Sequence, residues 1–220
     1  MQAVLWDMDG LLVDSEPLWT IAEVELAADL GGTWSEEIKA RVLGTRLDVA
    51  VPAILSWFDV EPTADRVAAT STRLTARMVE LFARELPLMP GAAALLAELR
   101  ADGIPVALVS SSYRDLVDAV LSSGAGPFDA SLAGDEVLHG KPHPEPYLTT
   151  AARLGVDPAR CVVLEDSPPG VASGRAAGCA VVAVPSVPGV TFSAQSRTLI
   201  AASLEEVDLA TLRSLVRPRL

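Results

Sequence analysis

The sequence predicts an α/β protein: a parallel sheet covered by helices and interrupted, after its first strand, by a long all-helical segment. Three observations point there. Short apolar, β-branched runs alternate with helical patterns over most of the chain. Residues 15–86 contain no strand-like run. The residues directly after the apolar runs are unusually polar, and in open α/β sheets that is where ligands bind, outside the carboxyl ends of the strands.

Taken in order, AVLW at 3–6 reads as the first strand. Leu18, Ile21, Ala22 and Leu26 then share a helical face behind a Ser15 cap, and the helix stops at Gly31-Gly32. Val67, Leu74, Met78 and Leu81 form a second apolar stripe. With hinges at Val13 to Glu16 and Leu86 to Pro90, residues 15–86 read as a helical lid on a core made of 1–14 and 87–220. A helix from Gly91 to Ala101 ends at Asp102-Gly103, followed by a strand at IPVALV, 104–109. A short element is expected near Ser131 to Ala133, strands at CVVLE (161–165) and AVVAV (180–184), and a closing helix from Ser203 with Glu206 completing a capping box. No internal repeat or low-complexity tract is evident.

With 50% apolar and 21% charged residues, the 220-residue chain can bury a substantial core. No run approaches the ~18 to 20 apolar residues of a membrane span, and Asp7 and Asp9 interrupt the place where a signal peptide needs an apolar stretch. The expectation is a soluble, cytoplasmic protein. The 29 acidic residues outnumber the 17 basic ones, and a net charge of −12 repels nucleic acid. Cys161 and Cys179 lack the spacing of a metal knuckle and read as reduced core residues.

Three strand ends carry chemistry. Asp7-Met8-Asp9-Gly10 follows the first, Ser110-Ser111-Ser112 the second, and Glu165-Asp166-Ser167 closes the CVVL run, with Gly140-Lys141-Pro142 in the loop before it. Asp7 and Asp9, two apart, project to one side if the chain stays extended. Four carboxylates at one sheet edge repel unless a cation neutralises them. Oxygen-only ligands select a hard cation such as Mg²⁺, which also supplies the charge an anionic substrate needs against so acidic a protein.

DMDGLLVDSEP at 7–17, Ser110 after its strand, Lys141 in GKPHPEPY and EDSPPG at 165–170 resemble, in this order, the four motifs of the haloacid dehalogenase superfamily of phosphotransferases. The match spans nearly the whole chain. DGLLVDSEPLW and LGTRLDVAV look closest to its hexitol phosphate and 2-deoxyglucose-6-phosphate phosphatases, with β-phosphoglucomutase slightly further away. The resemblance implies a Rossmann-like core with an inserted helical cap domain, and a Mg²⁺-dependent phosphatase acting on a small phosphorylated sugar or polyol. Asp7 would be the nucleophile, forming an aspartyl phosphate, and Asp9 the general acid and then base. Ser110, with neighbouring Ser111 and its backbone, would hold the phosphoryl oxygens, and Lys141 would offset their charge. Asp166 would bind the metal with Asp7 and the Asp9 carbonyl, while Glu165 would support it through water or Lys141. Glu16 and Arg46 would face the leaving group, Arg suiting oxygen-rich ligands through its planar fork.

The rivals are a β-phosphoglucomutase-like sugar phosphomutase, which returns the phosphoryl group to another hydroxyl, and, from another class, a phospho-receiver signalling module. The helical insertion and Asp9 argue against the receiver, and metal-assisted chemistry argues against dehalogenation. His139 and His143 lack a third ligand in their spacing and read as loop packing or solvated residues. Trp19, Trp34 and Trp57 read as packing between lid and core in preference to a sugar-stacking platform. Pro168-Pro169 departs from the usual motif but suits the first turn of a helix. A lid that opens and closes suggests a monomer.

Overall fold

The computed structural model describes residues 1–187 and 189–216, so the expected end of the core at residue 220 lies outside them. Six parallel strands are present among the described residues: β1 (Ala3–Trp6), β2 (Val106–Val109), β3 (Ala130–Leu132), β4 (Cys161–Glu165), β5 (Ala180–Ala183) and β6 (Thr198–Ile200). They lie in the order β3-β2-β1-β4-β5-β6. The chain moves outward from β1 through β2 to β3 and then returns to the other side of β1 for β4. The loops after β1 and β4 therefore diverge and leave a crevice between them.

Every residue of β1, β2, β4 and β5 is buried, as a parallel sheet covered on both faces requires. The period-2 alternation sorts side chains between two layers. Val4, Trp6, Leu108, Val162 and Leu164 face one layer; Ala3, Leu5, Val109, Val163 and Val181 face the other, with Tyr147 and Val171. Register then sets the height of the chemistry. Trp6 pairs with Leu108 on one side and Leu164 on the other, so Asp7, Val109 and Glu165 stand level at the sheet edge.

The segment between β1 and the next core helix is helical throughout: α1 (Glu16–Asp29), α2 (Glu36–Val42), α3 (Leu47–Trp57) and α4 (Ala64–Arg84). Its apolar residues, including Leu26, Ile38, Ile54, Leu74 and Met78, are continuous with the layer beneath Trp6 and Leu108. The expected hinges run side by side. Val13 bridges Leu88 antiparallel, Asp14 N–H donates to the Pro87 carbonyl at 2.8 Å, and Met89 N–H donates to that of Leu12 at 3.0 Å.

The remaining helices are α5 (Ala92–Ala101), α6 (Arg114–Ser122), α7 (Glu145–Leu154), α8 (Pro168–Ala176) and α9 (Leu209–Leu215). The tandem prolines open α8, whose N-terminal Gly170 N–H is accepted by the Ser167 hydroxyl.

Several sequence expectations are corrected. Ser15 does not cap α1: its own backbone is already helical, at φ −89° and ψ −15°, and its hydroxyl is used elsewhere. Ile21, placed on the buried face, is 42% exposed. The closing helix starts at Leu209 with Asp208 as its cap, because Ser203 caps only a 3-10 turn at Leu204–Glu206 and the Glu206 side chain accepts from Ala202. Strand β6 had no sequence signal, being three residues long, at the sheet edge and only partly buried.

Gly91, where the chain re-enters the core, has φ +83°, and a Cβ there would lie 2.4 Å from the Glu205 backbone nitrogen. Gly103 has φ +68° but open space around it. Gly91→Ala is expected to cost at least about 2 kcal/mol more than Gly103→Ala, since only the former adds a backbone collision to the left-handed strain. Denaturant midpoints of the two variants against the wild type measure it.

Candidate active site

Strand β1 ends at Trp6, and the chain then turns sharply through Gly10 at φ +73°. A side chain at Gly10 would collide with Asp166, since its Cβ would stand 2.4 Å from Asp166 Oδ2. The turn therefore presses the β1 loop against the β4 loop and brings Asp7 beside Asp166. Asp7, Glu165 and Asp166 offer carboxylate oxygens that all lie within 4.8 Å of one another, and all three residues are buried.

One cation serves them from within the protein. The Lys141 ammonium, itself buried, contacts Asp7 Oδ1, donates to Glu165 Oε1 at 2.6 Å and reaches the Val109 carbonyl at 3.1 Å. Burial alone would strip its proton, but Asp7 and Glu165 together hold Lys141 charged, above its ordinary value.

Glu165 is fully occupied by protein donors. Oε1 also accepts from the Tyr147 hydroxyl at 2.6 Å, and Oε2 accepts from the Asp166 and Ser167 N–H groups and the Ser167 hydroxyl. No exposed surface remains on it, and a Cβ on Gly170 would strike its carboxyl group at 1.8 Å. Glu165 is thus placed as an internal anchor for Lys141, not as an open ligand.

Asp7 and Asp166 are different. Burial first, then the Glu165 carboxylate, raises Asp7 well above the ordinary carboxylate range; burial and then Asp7 do the same to Asp166. Asp166 Oδ2 accepts from Ser186 at 2.5 Å. Among the described residues no hydrogen bond reaches Asp7 Oδ2 or Asp166 Oδ1. Two unpartnered oxygens on crowded, dehydrated acids form a donor set that fits a hard divalent cation.

Asp9 stands apart from this cluster and collects hydroxyl and indole donors from both layers. Its Oδ1 accepts from Ser15 Oγ at 2.8 Å and Trp19 Nε1 at 3.1 Å; its Oδ2 accepts from Ser110 Oγ at 3.1 Å and Ser112 Oγ at 2.8 Å. Ser110 is nearly inaccessible and also accepts the Ser112 N–H, so its hydroxyl is committed to Asp9. Ser111 points the other way, donating to the Gly44 carbonyl of the helical segment at 3.2 Å.

Above these groups lies a partly open cavity. Asp7, Asp9, Ser111, Lys141 and Asp166 form its floor; Glu16, Trp19, Glu23, Lys39 and Thr45 supply polar walls, and Leu47, Ala50, Ile54 and Leu74 apolar ones. Glu16 is part of that lining, 3.4 Å from the Lys39 ammonium. Arg46 is not among its lining. Its guanidinium instead pairs with Asp48 and donates to the Gly134 and Val137 carbonyls at 3.0 and 2.9 Å, fastening the helical segment to the loop after β3.

Sequence reasoning missed several participants. Tyr147 and Ser186 act through single hydroxyls far along the chain from their partners and carry no local pattern. Trp19 packs against the core as expected but also donates to Asp9, a bond its residue type alone does not signal; Trp34 and Trp57 pack as well, with Trp57 under the Arg41 guanidinium. His139 and His143 have a carboxylate neighbour after all: Glu145 Oε2 lies 2.9 Å from His139 Nδ1 and 3.9 Å from His143 Nδ1, on an exposed loop outside the cavity. Both cysteines are buried and free, and burial pushes their thiols up, Cys161 to about 11 and Cys179 to about 12. No helix among the described residues is long and apolar enough to cross a membrane.

Residues 1–178 match the family model of the haloacid dehalogenase-like hydrolases. The chain is 37% identical over 187 residues to hexitol phosphatase B of Escherichia coli, covering 83% of each protein. It is 37% identical over 209 residues to hexitol phosphatase A of the same organism, covering 92% of this chain and 91% of that one. Among solved structures, CbbY from Rhodobacter sphaeroides in complex with phosphate superposes with a TM-score of 0.85 at 30% identity, over 96% of this chain and 99% of that one.

Two outcomes test the electrostatics. Tyr147→Phe removes one buried donor to Glu165 and is expected to cost about 1–2 kcal/mol, read from the denaturation midpoint. Burial, helped by Glu16, also lifts Glu23 from 4.5 to about 8. A carboxyl group that binds its proton more tightly when folded gives stability fully present below its unfolded value and lost as pH rises through its folded one. The metal-free protein should therefore lose stability between pH 5 and pH 8, with a shallower slope in Glu23→Gln.

Proposed function

We propose that this chain, which belongs to the haloacid dehalogenase-like hydrolases and is a phosphoric monoester hydrolase, releases inorganic phosphate from a small phosphorylated sugar or sugar alcohol. The observation that carries the reading is the pairing of Asp7 with Lys141. One Asp7 oxygen is held by the ammonium and the other has no protein partner among the described residues, at the floor of a cavity with room for a leaving group above it.

Asp7 Oδ2 attacks phosphorus; the new O–P bond forms as the bond to the sugar oxygen breaks, and Asp9 delivers a proton to that oxygen. Asp9, now a carboxylate, takes a proton from water. The resulting oxygen nucleophile displaces Asp7 from phosphorus and releases phosphate. Lys141 offsets charge on Asp7 and the transferring group throughout, and Glu165 keeps Lys141 in place. Asp7 and Asp166, with the Asp9 carbonyl, would hold Mg²⁺, which when bound supplies the positive charge that lets crowded carboxylates and a phosphate dianion coexist.

Residues 15–86 serve as the lid in this reading. Ser15 and Trp19 both hydrogen-bond Asp9 from that segment, so opening it frees Asp9 Oδ1 and closing it reorders the donors around the acid. The Arg46 contacts to the loop after β3 act as a clasp for the closed position. The similarity to the hexitol phosphatases supports a polyol or sugar as the alcohol released.

Phosphate release with Mg²⁺ across hexose, pentose and polyol phosphates tests the reading. Turnover should vanish in EDTA and fall at least about 10³-fold in Asp7→Asn. No release from any ester in the set, undiminished activity of Asp7→Asn, or an isomerised phosphate ester in place of free phosphate would each refute it.

A further inference from the structure

Within the cavity one acid has no assigned task. Glu23 lines the wall from helix α1 and is only 9% exposed, yet its Oε2 is shut off from solvent without a hydrogen-bond partner. Among the described residues its carboxyl group makes no hydrogen bond. Neighbouring polar groups are spoken for: Glu16 pairs with Lys39, and Lys39 also donates to the Thr20 hydroxyl at 3.1 Å. A dehydrated carboxyl group that the fold leaves unpaired is costly, and a leucine would fill the same wall without that cost. Glu23 thus looks outward, to something the cavity receives.

Its position sets the distance. Glu16, Trp19 and Glu23 recur on one face of α1, and the Trp19 indole touches Asp9. Glu23 lies four residues further on, about 6 Å along the helix axis. Glu23 therefore sits beyond Trp19 from Asp9, on a part of the wall that meets the leaving group away from its phosphoryl end. The same cavity is also lined by Leu47, Ala50, Ile54 and Leu74, which can cover the carbon skeleton while one polar group takes a hydroxyl. Near neutral pH the buried carboxyl group keeps its proton, and so can both donate to and accept from that hydroxyl.

We propose that Glu23 is a specificity-determining residue that hydrogen-bonds a distal hydroxyl of the leaving group, selecting sugar or polyol phosphates over esters that lack such a hydroxyl. This rests on the sugar-phosphate reading above. The test compares kcat/KM of the wild type, Glu23→Gln and Glu23→Leu on a hexitol phosphate and on phenyl phosphate, which has no distal hydroxyl. Glu23→Leu should lose at least about 10-fold on the hexitol phosphate, mostly in KM, and stay within about 3-fold on phenyl phosphate. Glu23→Gln, still a donor and acceptor, should stay within about 3-fold on both. The melting temperature of Glu23→Leu should not fall, which shows that the variant folds. Equal losses on both substrates, or none on the hexitol phosphate, would overturn the assignment while leaving the phosphatase reading intact. A wild type that hydrolyses phenyl phosphate but no sugar or polyol phosphate would remove the reading beneath it, and the assignment with it.

Discussion

Three buried carboxylates face a single buried ammonium at the carboxyl end of the sheet, and the rest of the site is arranged around that imbalance. Lys141 neutralises only one charge, and it is shared between Asp7 and Glu165. Glu165 is saturated within the protein, because four other donations, from Tyr147, Ser167 and the backbone, converge on it with the lysine. The surplus falls on Asp7 and Asp166, whose remaining oxygens have no protein donor among the described residues and belong to groups that line the cavity. A site that carries more negative charge than its own donors satisfy fits a divalent cation. The net charge of −12 makes the same point at long range.

The sheet supplies the means of enforcing this crowding. Asp7 and Asp166 follow neighbouring strands whose ends stand level, and the reversal of chain direction at β1 opens the crevice in which they meet. Gly10 and Gly170 let two loops approach to distances that any side chain would prevent. The site is rigid because its backbone is fixed by a sheet buried on both faces. The helical segment meets that rigid floor through a few polar contacts: Ser15 and Trp19 on Asp9, Gly44 on Ser111, and Arg46 on the loop after β3. Hydrogen bonds of this kind exchange readily with water or ligand hydroxyls, which suits the lid role proposed for the segment.

Much of this was legible beforehand. Strands at 3–6, 161–165 and most of 104–109 and 180–184 were readable because buried parallel strands are short uninterrupted apolar runs. Asp7, Asp9, Glu165 and Asp166 stood out because they close or follow such a run, and Lys141 through the GKPHPEPY motif. Where the reading faltered, the deciding fact was a partner distant in sequence. Ser15 has the residue type and place of a helix cap, but its hydroxyl finds Asp9 instead; Arg46 has the donor fork of a substrate ligand, but the loop 88 residues away takes it. Glu23 carries no local mark at all, since a glutamate in an amphipathic helix is ordinarily solvated.

The sequence by itself determined the layered α/β architecture and the kind of chemistry at its strand ends, because apolar periodicity and residue type are local properties that survive without a fold. Tertiary structure alone decided which carboxylates are open and which are saturated, that Lys141 bridges Asp7 and Glu165 across 134 and 24 residues, and that an unpaired Glu23 faces the cavity. Those outcomes depend on burial and on which donor reaches which acceptor. Both are set by how distant segments pack, and neither is written in the residues on either side of the group concerned.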